Sequence, residues 1–433
     1  MALDRVHPAS RLAALLAVGG ALGAWSATCT EYDASLLVYT GRQDAAIQDA
    51  TAEDGPGAEA DASADVVADT GTDGPVLDAE ADVDAEASED AKETGIVACD
   101  PCTDPGLLRP VCPPDMADPP AEVEPMVFAM RTVRAAMTKT ASTDWQNIGL
   151  DLDCLNTQAT GDPIMCKRTG SDPSVVEDGL LGRDNSFGRN LCGVIRLLEL
   201  FNLITYDVEQ SWNEGLALGK SGMLLELRRY SGEPNDPQVL LALYMSHGTR
   251  NAENTADLHA NWDGNDLWSR STTSLTLNDQ PAFLDDAAYV TNGTIVAHLP
   301  EGVPLVLTSN QAALSMALTK SVVSLTMSPD HTKITNGVLA GAWYTTAALS
   351  ALDGYAAQSG ICQNRPEYAA ARNVIATSSD VRADLKSAPT LDCNAMSMGL
   401  SFTAERAKLG GVVAPPPPVA TPCDDAGVDA GAD

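Results

Sequence analysis

Three short stretches of this sequence carry closely spaced side-chain oxygens, which suit acid–base catalysis or the binding of a hard metal ion. Asp151 and Asp153 stand two residues apart in the stretch IGLDLD. In a β-strand both carboxylates would share one face about 7 Å apart, as a catalytic pair or as one side of a Ca²⁺ site. The other two stretches contain glycines and offer further oxygen donors at Asp178, Asp184, Asn185, Asp263, Asn265 and Asp266.

These donors suggest a structural Ca²⁺ ion, and no other cofactor is expected. Ca²⁺ prefers about six to eight oxygen ligands from flexible loops. The stretch 261–266 resembles the start of an EF-hand loop, but Asp266 stands where the sixth-place Gly belongs and Thr272 where the closing Glu belongs. An EF-hand is therefore excluded. The alternative is that these Asp, Asn and Gly residues only form turns.

Trp262 and Trp268 flank the third stretch. Aromatic rings in such loops stack on sugars in carbohydrate-binding sandwiches, and they also serve as packing anchors. The sequence is compatible with both roles, so a glycan is one candidate ligand.

Catalytic motifs are missing from the sequence. His247, His259, His298 and His331 belong to no HExxH motif, and there is no GxSxG, no Walker loop and no GxGxxG after a strand. Ser246 beside His247 lacks a nucleophile-elbow context. We therefore predict no catalytic residue and a non-enzymatic protein.

Alternating and helical hydrophobic patterns indicate the elements that must position these residues. Strands are predicted at 126–133, 148–152, 223–227, 239–245, 294–299, 305–308 and 396–402. A further strand at 314–327 changes its apolar phase and requires a bulge near Lys320. Helices are predicted at 194–201, at 208–216 behind the cap Asp207, at 339–352 and from Pro366 onward. Strands follow one another without regular intervening helices, which predicts an α+β, β-rich fold: an antiparallel β-sandwich-like core with a few helices.

The ten cysteines of an exported chain are read first as disulfides. Cys154 and Cys166 flank one loop, and Cys362 and Cys393 flank the last helical stretch, so we predict these two pairs. Cys192 lies on an apolar helical stripe and is expected to be a buried thiol. A zinc site at the single CxxC of residues 99–102 lacks a second ligand pair.

The charge is concentrated in one segment. The whole chain has a formal net charge of −34, and residues 43–98 hold 17 acidic residues against one Lys. Such a segment has too little apolar surface to fold and is expected to be a disordered acidic tether. Nucleic acid is excluded as a partner because no stretch supplies clustered Lys and Arg.

The first residues resemble an export signal. Residues 12–25 are uncharged and apolar but too short for a membrane-spanning helix, for which about 20 residues are needed. Cys29 follows small residues, as in a bacterial lipobox, so its acylation would anchor the protein to a membrane. Cleavage after Ser26, which would give a freely secreted protein, is the alternative.

These patterns predict a signal peptide at 1–28, a lipid-anchored acidic and Pro-rich tether at 29–121, a β-rich globular domain at 122–413 and a disordered Pro/Asp tail at 414–433. The chain also resembles the Asp/Ala-tethered surface lipoproteins of myxobacteria and related delta-proteobacteria. The resemblance rests on the acidic spacer and on CTEYDASLLVY (29–39), IGLDLDCLNT (148–157), GRDNSFG (182–188), NWDGNDLW (261–268), TNGVLAGAW (335–343) and CNAMSMGLSF (393–402). It implies an outer-membrane or cell-surface location and transfers no catalytic residue.

The function expected from these features is that of a binding or structural module outside the cell. Its membrane contact would be the acyl anchor, and its extracellular ligand is not specified by the sequence. The alternative is a carbohydrate-binding or glycan-modifying sandwich, dependent on Ca²⁺, that uses Asp151, Asp153 and the loop from Trp262 to Trp268.

Overall fold

The computed structural model describes residues 112–114, 123–136, 144–157, 165–168, 178–190, 194–195, 207–257, 259–309 and 312–417. The predicted signal peptide, Cys29, the acidic tether, Cys192 and nearly all of the tail lie outside these residues, and so does most of the predicted helix at 194–201.

Strands dominate the described residues. They are β1 (Met126–Arg134), β2 (Cys166–Lys167), β3 (Gly222–Arg228), β4 (Asp236–Ser246), β5 (Thr249–Arg250), β6 (Leu267–Ser271), β7 (Phe283–Thr291), β8 (Thr294–His298), β9 (Val303–Thr308), β10 (Ala313–Met327), β11 (Lys333–Tyr344), β12 (Ala388–Asp392) and β13 (Ala395–Val413). The helices are α1 (Val208–Ala217), α2 (Thr345–Gln358) and α3 (Pro366–Ala376), and short 3₁₀ turns lie at Asp144–Asn147, Leu180–Gly182 and Thr272–Ser274.

The main sheet closes on itself. Its strands follow the order β1–β3–β4–β7–β8–β10–β11–β13, and β13 pairs back with β1, every pairing in the ring being antiparallel. The predicted β-rich antiparallel core with few helices is therefore confirmed. The two layers expected of a sandwich are opposite walls of one closed sheet, and this closure leaves no unpaired edge in the ring.

Alternate side chains of the ring strands form one continuous apolar core. On β3, Met223 and Leu225 belong to this core, whereas Leu224 between them belongs to a second cluster with Tyr244 and Trp268. The second cluster forms because β6 and its flanking loops cover that wall of the sheet from the other face. A strand covered on both sides in this way is apolar on both faces.

The predicted phase change in β10 is confirmed. The register slips between Thr319 and Val322, and Lys320 there has a φ of 49°. Before the slip β10 pairs with β9, and after it with β8. The bulge thus lets one long strand serve two partners.

Two predicted elements are wrong. Residues 339–344 belong to β11 and not to a helix, and the helix α2 starts only at Thr345. Their small residues suit helical spacing, but the tertiary structure places them between β10 and β13, where both strand edges find partners. Residues 148–153 form a bent loop and not a strand, because their backbone joins no ladder.

This loop is held against the closed sheet by two glycines. Gly149 has a φ of 109°, and a Cβ added at Gly399 on β13 would lie only 2.6 Å from the Cα of Gly149. The two backbones are therefore in direct contact, and a side chain at Gly399 would collide with the loop.

We expect Gly399→Ala to destabilise the fold by about 1–3 kcal/mol, because the added methyl group must push the 144–157 loop off β13. The matched control is Gly354→Ala in α2, where an added Cβ meets nothing within 4 Å. This control should stabilise by about 0.5–1 kcal/mol through helix propensity. Urea unfolding monitored by circular dichroism measures both, and equal stabilities for the two variants would contradict the close-contact interpretation.

Candidate functional site

The candidate site lies where the loop 144–157 meets the segment 178–190. Ile148, Leu150 and Leu152 are all buried and fix the loop by apolar packing. The alternation seen in the sequence is therefore real, but Asp151 on its polar side does not face solvent. Asp151 has a relative exposure of only 1%.

Asn185 holds the two segments and β13 together. Its side-chain oxygen accepts hydrogen bonds from the backbone N–H groups of Gly188 and Gly399, both at 3.0 Å. Its amide nitrogen donates to the carbonyl of Ile148 at 3.2 Å. The first of these bonds caps the helical residues 186–190 at their N-terminus. Asn185, which we predicted as a metal ligand, thus has a structural position.

Three carboxylates converge at this junction. Asp151, Asp153 and Asp184 each offer an oxygen, and these oxygens all lie within 4.8 Å of one another. Each carboxylate also accepts a hydrogen bond from a backbone N–H: that of Cys154 for Asp151, of Leu155 for Asp153 and of Leu152 for Asp184. Hydrogen bonds from within the loop therefore set the direction of all three side chains.

Asp178 and Asp380 add further negative charge nearby. Burial, reinforced by Asp178, raises the pKa of Asp153 from 3.8 to about 8. Burial likewise raises the pKa of Asp178 to about 7, with Asp380 and Asp151 contributing. The pKa of Asp184 is raised well above its ordinary value, chiefly by burial and then by Asp153. Charged carboxylates are therefore costly here without a compensating proton or cation.

Asp380 reaches the site from the loop after α3. It accepts hydrogen bonds from the backbone N–H and the hydroxyl of Ser397 on β13. Burial raises its pKa, and the hydrogen bonds from Ser397 and the charge of Arg168 oppose that rise. Arg168 donates from its Nε to the carbonyl of Ser379, so one guanidinium balances part of the charge on this side of the cluster.

Asp380, Arg168 and Ser397 were missed by the sequence reasoning. Asp380 stands more than 190 residues along the chain from Asp151, Asp153, Asp178 and Asp184, and it belongs to no spaced motif. The spacing of oxygen-bearing side chains pointed only to the stretches DLD (151–153) and GRDN (182–185) of this cluster. The tertiary structure alone brings the third segment to them.

A disulfide joins the parts of the chain that carry Arg168 and Asp380. The structure bonds Cys166 to Cys393, so the predicted pairings of Cys154 with Cys166 and of Cys362 with Cys393 are wrong. All four cysteines are nevertheless disulfide-bonded. The observed pair forms because β2 and β12 lie side by side in parallel, with Cα atoms 5.2 Å apart. No cysteine of the described residues is free.

The third oxygen-rich stretch lies elsewhere. The main-chain N–H of Lys408 donates to the carbonyl of Asp266, whereas the aspartate cluster meets β13 at Gly399. These two points are about 30 Å apart by the rise of a strand. The carboxylate of Asp266 accepts the backbone N–H groups of Asn261 and Trp262, and that of Asp263 accepts the N–H of Asn265. The structure does not bring these residues to the aspartate cluster.

The two Trp residues pack against each other, with ring centroids 5.4 Å apart. The expectation that both stack on a sugar fails for Trp268, whose ring is 0% exposed. Trp262 donates from its indole nitrogen to the carbonyl of Ala217, and the guanidinium of Arg131 lies 4.3 Å from its ring centroid. Asp151, Asp153 and this loop consequently form no common sugar site.

No known protein family, no curated protein and no solved structure matches this chain. Among the described residues, no helix combines the length and the apolar character needed to cross a bilayer.

The geometry favours cation binding over acid–base catalysis. Asp151 and Asp184 are only 1% and 2% exposed, so a substrate would have no access to them. A metal ion bound between the carboxylates does not require an opening large enough for a substrate. Ligands on opposite sides of a Ca²⁺ ion lie about 4.8 Å apart, since each bond is about 2.4 Å long. The spread of the three oxygens fits within that limit.

In EDTA, the free energy of unfolding should fall as the pH rises from about 4 to about 8. The folded protein keeps protons on Asp153 and Asp178 in this range, whereas the unfolded chain releases them near pH 4. The stability that these protons contribute is therefore lost as the pH rises toward the folded pKa values of about 7 and 8. Chemical denaturation at several pH values measures this slope. Asp153→Asn should flatten it, and Asp279→Asn, at an exposed turn, should leave it unchanged. A slope of opposite sign that Asp153→Asn does not alter would contradict the prediction.

Proposed function

We propose that this protein is an exported, lipid-anchored surface protein whose β-rich domain is a binding or structural module stabilised by Ca²⁺. The observation that carries the cation is the convergence of Asp151, Asp153 and Asp184 within 4.8 Å. Asp178 and Asp380 enlarge the negative potential around them.

The cation has a definite energetic role in this proposal. A carboxylate has about four lone-pair sites, so it can accept a backbone hydrogen bond and still bind a metal. A divalent ion would replace the protons that these buried groups otherwise need, which joins the loop 144–157, the segment 178–190 and β13 more tightly. Ca²⁺ is favoured over Mg²⁺ because it accepts irregular, all-oxygen sites of this kind.

The exported location is supported by the first part of the chain. Residues 12–25 form an uncharged apolar stretch, and Cys29 follows small residues. The disulfide between Cys166 and Cys393 agrees with an oxidising compartment. The resemblance to Asp/Ala-tethered surface lipoproteins supports the same location, and an acidic tether would hold the domain away from the membrane.

Adding CaCl₂ to EDTA-dialysed protein should raise the melting temperature at pH 7.5. At a hundredfold excess over Kd the added stability is about 2.7 kcal/mol. Asp184→Asn should remove most of this shift because it deletes one carboxylate ligand, and the exposed Asp279→Asn should retain it. Differential scanning calorimetry measures the midpoints. A midpoint insensitive to Ca²⁺ in the unmodified chain would refute the cation site.

Mass spectrometry of the mature protein, purified from membranes, should find Cys29 as its first residue with a diacylglycerol group attached. Cys29→Ser should move the protein from the membrane fraction to the soluble fraction, because the acyl chains supply the membrane affinity. An unmodified N-terminus at Ala27 would show that the protein is freely secreted.

A further inference from the structure

Far from the aspartate cluster, the loop between β5 and β6 presents a regular row of polar side chains. Asp257, His259, Asn261, Asp263 and Asn265 stand at every second position, and all five are exposed. The even-numbered positions from 260 to 266 are turned inward and are partly or fully buried.

These five residues line one cavity of about 150 Å³, together with Thr249, Arg250, Asp266 and Leu267. This volume corresponds to about five water molecules. It is smaller than a typical drug-sized pocket of roughly 300–1,000 Å³, so it suits one small ring and not an extended chain.

The loop is built to keep this row in place. The carboxylate of Asp266 accepts backbone N–H groups from Asn261 and Trp262, at 2.9 and 2.7 Å. Lys408 of β13 donates to the side-chain oxygen of Asn265 at 2.8 Å. Beneath the loop, the indole nitrogen of Trp262 bonds to the carbonyl of Ala217. These bonds fix the backbone of the loop, while its exposed polar residues line the cavity.

The residues that line the cavity include hydrogen-bond donors and acceptors, and they carry both positive and negative charges. Asp257, Asp263 and Asp266 supply carboxylates, Asn261 supplies an amide, and Arg250 supplies a guanidinium. The Nδ1 of His259 lies 2.9 Å from the carbonyl of Asp257, which can only accept, so the Nε2 of a neutral ring is left as an acceptor. A hydroxyl group both donates and accepts, so adjacent hydroxyls satisfy this mixed set without net charge.

We propose that this cavity binds one neutral sugar ring through its hydroxyl groups. The inference rests on the proposed function as a binding module and names its ligand class. Recognition comes from the polar row, because Trp268 is buried and Arg131 lies over the ring of Trp262. The sugar hydroxyls would bond directly to these side chains, so the proposal involves no Ca²⁺ ion.

Saturation-transfer NMR and calorimetric titration of the full chain test the proposal. The probes are the methyl pyranosides of glucose, galactose, mannose and N-acetylglucosamine, used in EDTA. We expect at least one to bind with a Kd of about 1 mM or tighter. His259→Ala and Asn261→Ala should each weaken that binding about tenfold, since each removes a hydrogen bond worth about 1.4 kcal/mol. The matched control Glu253→Ala, exposed on the same loop but outside the cavity, should bind as the unmodified chain does.

Three results would overturn the proposal: no glycoside binds, a bound glycoside is unaffected by both cavity substitutions, or glycine or acetate binds while the glycosides do not. Unchanged melting temperatures of the cavity variants show that they are folded. The cation site is assessed separately with Asp184→Asn, which should bind the glycoside normally. Loss of sugar binding with an intact Ca²⁺ shift would refute only this inference, and the converse would refute only the cation site.

Discussion

Strand β13 must find hydrogen-bond partners along both of its edges, and the rest of the structure depends on this requirement. It pairs with β11 on one side and with β1 on the other, which closes the sheet. Its last residues continue beyond the ring and pair in parallel with β6. A single strand therefore fixes the ring and also supports both candidate sites, one at each end.

At the first end, backbone contact does the positioning. Gly399 allows the loop 144–157 to approach β13 without an intervening side chain, and Asn185 bonds to both. With the loop that close, Asp151 and Asp184 are almost fully buried. Burial of several carboxyl groups in one place is unfavourable unless protons or a cation accompany them, and Arg168 offsets only part of the charge. The raised pKa values and the proposed ion are two consequences of the same packing.

At the other end, the loop between β5 and β6 uses its carboxylates differently. The carboxylate of Asp266 accepts hydrogen bonds from backbone N–H groups and so stabilises the conformation of the loop. The alternate side chains then face a cavity and not each other. Two oxygen-rich stretches that look alike in sequence thus have opposite environments, one closed and short of counter-charge, the other open and mixed in charge.

Local patterns in the sequence were sufficient for much of the fold. The alternation at 223–227 and 396–402, the cap at Asp207 and the phase change at Lys320 all depend on neighbouring residues, and all appear in the structure as predicted. The alternation at 148–152 correctly separated apolar from acidic positions. It could not reveal that the acidic side faces protein, because that depends on Gly399, about 250 residues away.

The tertiary structure alone decided how these parts combine. Residues 339–344 became a strand because β10 and β13 offered partners on both edges, which outweighs local propensity. Hydrogen bonds from Ser397 on β13 brought Asp380 to the aspartates. The pairing of β2 with β12 brought Cys166 to Cys393, across a sequence separation of 227 residues. Nearest neighbours along a chain determine the period of a pattern and the caps of a helix. Whether a polar face meets solvent or protein is determined by how the sheet closes, which is a property of the whole domain.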